Sequence, residues 1–535
     1  MKDGVPVIDL FAGPGGLGEG FASLSDFFRI ELSAECSAPA HRTLQLRAFK
    51  RILEREGLSL DSYYDYLHGN VLSPVTAHNR SAWELAGTEA LRLTLGQPDD
   101  DERLARELER RELKACEDWV LVGGPPCQAY SMVGRARNRS KFDYVPEDDE
   151  RHFLYREYLK LIQRYRPAVF VMENVKGMLS SRVGGKRIFH QILRDLTQPD
   201  KAVHRSNDGL GYRVHSVVDR DFVYQVGDDP AAFTDEAFLV PAENYGVPQA
   251  RHRIFLVGVR EDIRVNPAEL RHSNTVPLSC VLSDLPLLRS GLSRNDSLES
   301  WRRIVQSCAG RLVAEAKNAG RHDLATDIAG YASTIQRMPQ RSRGGLRVVK
   351  SESSREFVEA GWQESELRHW LEDSDLAVWL NHEARAHMPS DLGRYLYAAA
   401  FARREGRSPV GADGFGLPSL APKHANWKTG KFADRFRVQL WNEPSKTITS
   451  HISKDGHYYI HPDPTQCRAL TVREAARIQT FPDNYFFEGN RTEQYHQVGN
   501  AVPPWLARQI AFIIRDLLVR AGRGKVDLWP RRHVK

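Results

Sequence analysis

The apolar run Trp119 to Val122 is cut short by Gly123-Gly124-Pro125-Pro126-Cys127-Gln128. Proline lacks a ladder donor and fixes its own φ, and glycine weakens a strand, so the stretch reads as a short buried strand ending at a rigid turn. Cys127 is the side chain that such a turn presents. Cysteine is by default an inert packing residue. Packing cysteines, however, seldom stand between a proline pair and a polar Gln-Ala-Tyr-Ser segment, and Cys127 is therefore expected to be a nucleophile.

The flanking sequence alternates strand and helix. Val5 to Leu10 reads as a strand, Leu17 to Phe28 as a helix, Arg29 to Ala34 as a second strand and Ala38 to Glu56 as an amphipathic helix. Repeated units of this kind imply a doubly wound parallel sheet. Residues 72 to 118 are charged, with strong helix formers from Asp99 to Glu117, and are expected to be a surface helical insertion. Arg151 to Tyr165 reads as a helix stopped by Pro167, followed by a strand from Ala168 to Met172 that ends in Glu173-Asn174-Val175. Residues 211 to 221 and 254 to 259 read as further strands of the same sheet. From about 270 to 440 the alternation is lost, and in 468 to 518 long apolar-periodic helices return. The expected organisation is a catalytic lobe over 1–270, a second domain over 271–440 and a return to the first lobe over 441–535.

The chain has 535 residues, enough for two lobes with sizeable cores. No apolar run is long enough to span a bilayer, and Met1-Lys2-Asp3-Gly4 leads straight into a strand, so a soluble protein without a signal peptide is expected. Six cysteines, at 36, 116, 127, 280, 308 and 467, show neither metal spacing nor the density of a disulfide scaffold, which fits a reducing cytoplasm and no metal site. The net charge of +6 is mild, and its distribution says more than its size. Arg135, Arg137, Arg139 and Lys141 follow the cysteine turn, and Arg337, Arg341, Arg343, Arg347 and Lys350 surround Gly344-Gly345. Both stretches are expected to be basic loops able to neutralise phosphates.

A cofactor site is expected at Asp9-Leu10-Phe11-Ala12-Gly13-Pro14-Gly15-Gly16-Leu17, which follows one strand and opens one helix. The glycines permit a tight turn and close approach, and the helix N-terminus favours an anionic group. Glu35 lies nineteen positions after Gly16, just past the second strand, where an acid accepts hydrogen bonds from ribose hydroxyls. A nucleoside-containing cofactor follows, and the glycines alone leave open a dinucleotide or S-adenosylmethionine.

The order of segments resembles that of the DNA (cytosine-5)-methyltransferase family. The motifs are Asp9 to Gly16, Glu35, Gly124-Pro125-Pro126-Cys127-Gln128, Glu173-Asn174-Val175, Gln249-Ala250-Arg251-His252-Arg253, Arg468-Ala469-Leu470-Thr471-Val472-Arg473-Glu474, and Gln497-Val498-Gly499-Asn500-Ala501-Val502-Pro503-Pro504. The resemblance covers 1–260 and 440–515 and implies an α/β fold: the Rossmann-like sheet of S-adenosylmethionine-dependent methyltransferases, helices on both faces, with 271–440 as a smaller target-recognition domain. It implies S-adenosylmethionine as cofactor, held by Phe11, Gly13, Pro14, Gly15, Gly16, Glu35, Asn70, Pro126, Asn500 and Val502. Asn70 departs from the family's usual acid near the adenine ring, although an amide oxygen can still accept from an exocyclic amine.

The implied reaction is methyl transfer to carbon 5 of cytosine within a specific double-stranded DNA sequence. Carbon 5 is a poor nucleophile until a thiolate, here Cys127, adds at carbon 6. In the family's arrangement Glu173 contacts ring nitrogen N3, and Arg253, less directly Arg251, places a guanidinium near O2 as charge develops. Alternation puts Arg251 and Arg253 on one face of their strand and Ile254 on the other. The target base must be flipped from the duplex. Gln128, Ser131, Arg135 and Arg137 are expected to close over it, and Arg341 and Arg343 to face DNA, while the 270–440 region reads base edges. The implied setting is a restriction-modification or phage-defence enzyme in the cytoplasm, associated with the nucleoid, acting as a monomer on DNA beside cognate defence proteins. A catalytically silent DNA-binding scaffold and the transfer-RNA branch of the same family are the competing readings, with a nicotinamide dehydrogenase further off.

Overall fold

The computed structural model describes residues 4–113, 118–126, 154–183, 186–204, 209–338, 341–350, 365–421, 436–454 and 456–523. Five strands run parallel at its centre or edge: β1 (Val5–Leu10), β2 (Phe28–Glu35), β3 (Ala90–Arg92), β4 (Val120–Gly123) and β5 (Val169–Val175). They continue into β6 (Tyr212–His215), β7 (Val223–Tyr224), β8 (Leu239–Pro241) and β9 (His252–Arg260). The order across the sheet is β3-β2-β1-β4-β5-β9-β6-β7, with β8 also pairing to β9. Strand β9 is antiparallel to β5, β6 and β8. The sheet is thus mixed, a correction to the purely parallel sheet expected from the strand–helix alternation.

Both faces of the central strands are buried, as crossover helices require. Val7, Val122, Val171 and Val257 pack on one side against α1 (Gly16–Ala22) and α15 (Pro504–Arg520). Ile8, Leu121, Phe170 and Leu256 pack on the other against α6 (Leu154–Tyr165) and α7 (Ile188–Thr197). The alternation of neighbours such as Val7 and Ile8 between two apolar cores explains why these strands read as continuous hydrophobic runs. The C-terminal helix α15 packs against α1 in the first of these cores.

Three expectations need correcting here. The helix expected over Leu17 to Phe28 ends at Ala22, and Phe28 already belongs to β2. The segment 72–118 is not helical throughout: after α4 (Arg80–Glu89) it supplies β3, which pairs Ser33 with Ala90 and Glu35 with Arg92. Next comes α5 (Pro98–Arg110), whose Leu104 and Leu108 are buried in the sheet's second core. The third concerns Arg341 to Lys350, expected as a loop: Gly344–Val349 is strand β10, paired antiparallel with β11 (Val378–Glu383).

Packing in 271–440 shows no break at those two numbers. Helices α9 (Leu298–Asn318), α10 (His322–Arg337) and α12 (Pro389–Glu405) build a core around Trp301, Ile328 and Leu396 that extends to Ile460 and Cys467. In contrast α8 (Leu278–Leu282), α11 (Glu366–Leu371) and Trp379 join the sheet's first core. Leu376, Val378 and Leu380 pack with α2 (Ala38–Arg55) and α3 (Asp61–His68).

Candidate active site

The glycine loop leaves β1 through left-handed backbone at Phe11 (φ 55°), Gly13 (φ 57°) and Gly15 (φ 99°). Each glycine of the loop meets a different environment. A Cβ on Gly16 would stand 2.2 Å from the Val502 carbonyl oxygen, and one on Gly15 would stand 2.8 Å from Leu44 Cδ2, whereas among the described residues nothing lies within 4 Å of that position on Gly13. The loop is therefore closed against protein at Gly15 and Gly16 and open at Gly13. Gly13 donates its amide to Glu35 Oε2 at 2.9 Å, and the other carboxylate oxygen accepts the Ser37 amide at 2.7 Å. A carboxylate offers about four lone-pair sites, so Glu35, half-buried at the end of β2, keeps acceptor capacity for a ribose diol.

Val502 is buried beside Gly16, and Asn500 ends α14 (Arg491–Asn500) with its side chain exposed. Phe11 is half-buried against the second core, and Pro126 is half-buried at the end of β4. Tyr485, which motif reading missed, donates its hydroxyl to the Pro14 carbonyl and packs on Gly15. The loop thus sets Gly13, a half-buried acid with acceptor capacity to spare and a half-buried aromatic ring together, a set that fits the adenosine part of a methyl donor.

Asn70 stands elsewhere. Gly69 (φ 86°) is the left-handed cap of α3, and Asn70 follows it, exposed, donating Nδ2 to Asp65 Oδ1 at 2.9 Å. The strand beside β2 begins twenty residues later, at Ala90. Gly69-Asn70-Val71 looks like a strand end in sequence, but here it ends a helix. What is corrected is the strand-end position on which the adenine contact expected of Asn70 relied.

Parallel pairing of β4 with β5 matches Gly123 with Met172, so Gly124 to Pro126 emerge beside Glu173 and Asn174. A Cβ on Gly124 would stand 3.0 Å from Glu173 Oε2, and Asn174 Nδ2 donates to the Pro125 carbonyl at 3.1 Å. From the antiparallel β9, Arg253 Nε reaches Glu173 Oε1 at 3.0 Å. Burial raises the Glu173 carboxyl above its ordinary range, against the opposing pull of Arg253 and Arg251. Arg253 is itself lowered by burial. The pair sets an acid raised by burial beside a fork of donors at one strand edge, next to Gly124 to Pro126. Cys127, Gln128, Ser131, Arg135 and Arg137 lie outside the described residues.

Arg251 does different work from the base contact expected of it. It is 1% exposed and donates to the carbonyls of Ile448 at 2.8 Å and Ala501 at 2.8 Å, with longer bonds to Gly499. Its guanidinium therefore ties the β9 edge to the loop that carries Val502. Gln249 reinforces this tie, accepting the Ile448 amide at 2.6 Å and donating to Gln479, which in turn donates to the Val498 carbonyl at 2.7 Å.

The arginines expected to face DNA have protein partners. Arg341 donates to the Thr465 carbonyl at 2.8 Å and Arg343 reaches Asp296 and Glu383 at 3.4 Å each. Arg347 caps the end of α3 through the carbonyls of Tyr66 and Leu67. Arg341, Arg343 and Arg347 thus each bind a protein group, rather than standing in a free basic loop.

A profile of C-5 cytosine-specific DNA methylases matches residues 98–515. The chain is 32% identical over 533 residues to "Type II methyltransferase M.Bpa9945I" of Bacillus paralicheniformis, covering 96% of this chain and 99% of that protein. It is 26% identical to "Type II methyltransferase M.AgeI" of Thalassovita gelatinovora, covering 95% and 98%. Among the described residues no helix is long and apolar enough to cross a membrane. With the acid–arginine pair beside Gly124 to Pro126, the profile match and the full-length likeness, the chain belongs to the C-5 cytosine-specific DNA methylases, enzymes that methylate carbon 5 of cytosine in DNA.

Proposed function

We propose that this enzyme uses S-adenosylmethionine to methylate one cytosine within a specific duplex sequence, and that it serves as the modification arm of a restriction-modification system. The observation that carries the chemical part is the Arg253–Glu173 pair, 3.0 Å apart at the mouth of the turn leading to Cys127. The biological part is supported by the full-length likeness to proteins named type II methyltransferases.

In this reading Cys127 adds to carbon 6 of a flipped cytosine, and the electron pair of the C5–C6 double bond shifts toward carbon 5. Glu173, whose carboxyl burial raises above its ordinary range, hydrogen-bonds N3 as negative charge spreads over the ring. Arg253 holds that carboxyl in place and offers its remaining N–H donors to O2. Arg251 acts at one remove by fixing the Gly499–Ala501 backbone. Glu35, Phe11, Gly13, Pro14, Gly15, Gly16, Pro126 and Val502 would hold the donor, which supplies an electrophilic methyl group. Gln128, Ser131, Arg135 and Arg137 would contact the DNA. After transfer the C5 proton leaves to a base and the thiolate is expelled, restoring the ring.

Incubating the enzyme with S-adenosylmethionine and duplex DNA carrying 5-fluorocytosine at the methylated site tests the chemistry. A covalent adduct on a peptide containing Cys127 is expected, and its loss in Cys127→Ser. Turnover surviving in that variant would overturn the assignment. Bisulfite sequencing of DNA from expressing cells should show one methylated sequence context.

A further inference from the structure

Helix α1 opens on Gly15, which has no side chain with which to cap the amides of the first turn. Asp9 fills that role from the preceding strand. Its Oδ2 accepts the Gly18 amide at 3.1 Å, and a Cβ on Gly18 would stand 2.9 Å from the same oxygen. The other oxygen, Oδ1, is fully buried and has no hydrogen-bond partner among the described residues, and the residue is 0% exposed. A carboxylate with one bare oxygen in such surroundings is costly, whereas the neutral acid keeps the Gly18 bond at much less desolvation. Burial accordingly pushes the Asp9 carboxyl up to about 7. The groups that face it are Glu35 on β2, which raises it further, Arg51 on α2, which opposes the rise, and Tyr158 on α6. Arg51 is itself engaged by Glu89 and Glu19.

We propose that Asp9 is a positioning residue whose charge distinguishes the cationic methyl donor from its demethylated product. The inference rests on S-adenosylmethionine being the donor. Methyl transfer turns a sulfonium into a neutral thioether, so donor and product differ by one positive charge beside the loop that Asp9 anchors. A buried anion under that loop attracts the first and is indifferent to the second. Donor binding therefore draws Asp9 toward the ionised form, and loss of the methyl group lets it take up a proton again.

The test is calorimetric binding of S-adenosylmethionine and S-adenosylhomocysteine to the full-length enzyme and to Asp9→Asn across neutral pH. Asparagine matches the neutral acid in shape and retains an oxygen for the Gly18 amide. Donor affinity of the wild type should gain about tenfold more than that of the variant between about pH 6 and about pH 8, with no such difference for the product. The ligands' own amino and carboxyl groups titrate against both proteins alike, so the difference isolates Asp9. Proton release on donor binding by the wild type, measured in buffers of different ionisation enthalpy, gives a second reading that needs no variant. Equal pH slopes for wild type and variant, or equal proton release with donor and product, would overturn the inference. Failure of S-adenosylmethionine to bind the wild type at any pH would instead remove the donor reading beneath it.

Discussion

Arg253 Nε stands 3.0 Å from Glu173 Oε1, and the two side chains are only 14% and 12% exposed. Antiparallel β9 brings them together, since the register sets Arg253 beside Val175 and Phe255 beside Glu173. Glu173→Gln removes the proton but keeps the volume, and should lower the single-turnover rate by about 10² to 10⁴. The wild-type rate should also fall on the alkaline side, because burial raises this carboxyl and its protonated form is lost as pH rises. Rapid-quench measurements across pH check both, and the alkaline limb should be absent in the Gln variant.

Arg251 and Arg253 are two residues apart and should fail differently. Arg253→Lys loses the fork that holds Glu173, and a rate loss of about 10² with unchanged unfolding midpoint is expected. Arg251→Met leaves the Ile448 and Ala501 carbonyls without their donor, and a stability loss of about 3 kcal/mol is expected. Urea denaturation beside single-turnover kinetics separates the two.

The glycine loop offers a contrast within four residues. Gly16→Ala would place a methyl 2.2 Å from the Val502 backbone, so the loop carrying Val502 must move, and both donor binding and thermal stability should drop. Gly13→Ala meets no atom within 4 Å and incurs only the strain of φ 57°, about 1 kcal/mol. It should fold almost normally yet bind the donor more weakly, because the open space above Gly13 is where a ligand would come. Thermal shift with and without S-adenosylmethionine distinguishes these outcomes.

Strand ends are the legible part of this chain. Glu35, Glu173 and the Pro-Pro turn all follow apolar runs bounded by breakers, and each stands at the sheet edge as expected. Direction is not legible, since a strand buried on both faces has the same hydrophobic pattern whether β9 runs parallel or antiparallel. Strand β3 is hidden because its three residues lie between two helices rich in charge. Asn70 misleads because a glycine after an apolar residue ends a helix as readily as a strand. Tyr485 leaves no local signal, since its partner Pro14 is 471 residues away.

Arginines in a glycine-rich stretch look like a phosphate clamp until their protein partners are known. Arg341 and Arg343 hold Thr465, Asp296 and Glu383, so their replacement by alanine should lower stability. DNA affinity should keep its dependence on salt, because releasing even one phosphate from the protein would reduce the log–log slope by about 0.9. Titrations at several salt concentrations decide it, and a slope lowered in the double variant would return these arginines to the DNA interface.

Buried histidines set the acid limit of the fold. His382 bonds Thr471 and the Pro286 carbonyl, and His461 lies against Glu474; burial lowers both to about 4 from an ordinary 6.5. Above about 6.5 both are neutral in the folded and unfolded chain, so they contribute no pH dependence there. As pH falls from 6.5 toward 4 the unfolded chain binds these protons and the folded chain does not, so stability declines through that window. The carboxylate of Glu474, paired with Arg468 at 2.6 Å and held well below the usual range, adds to the decline only near the acid end of that window, where the unfolded chain begins to protonate it around its ordinary 4.5. Unfolding midpoints measured from about pH 8 to about pH 4 should therefore fall steadily below 6.5, and His382→Gln, which removes one titrating group, should make the descent shallower. A descent unchanged in that variant would place the acid sensitivity in other groups.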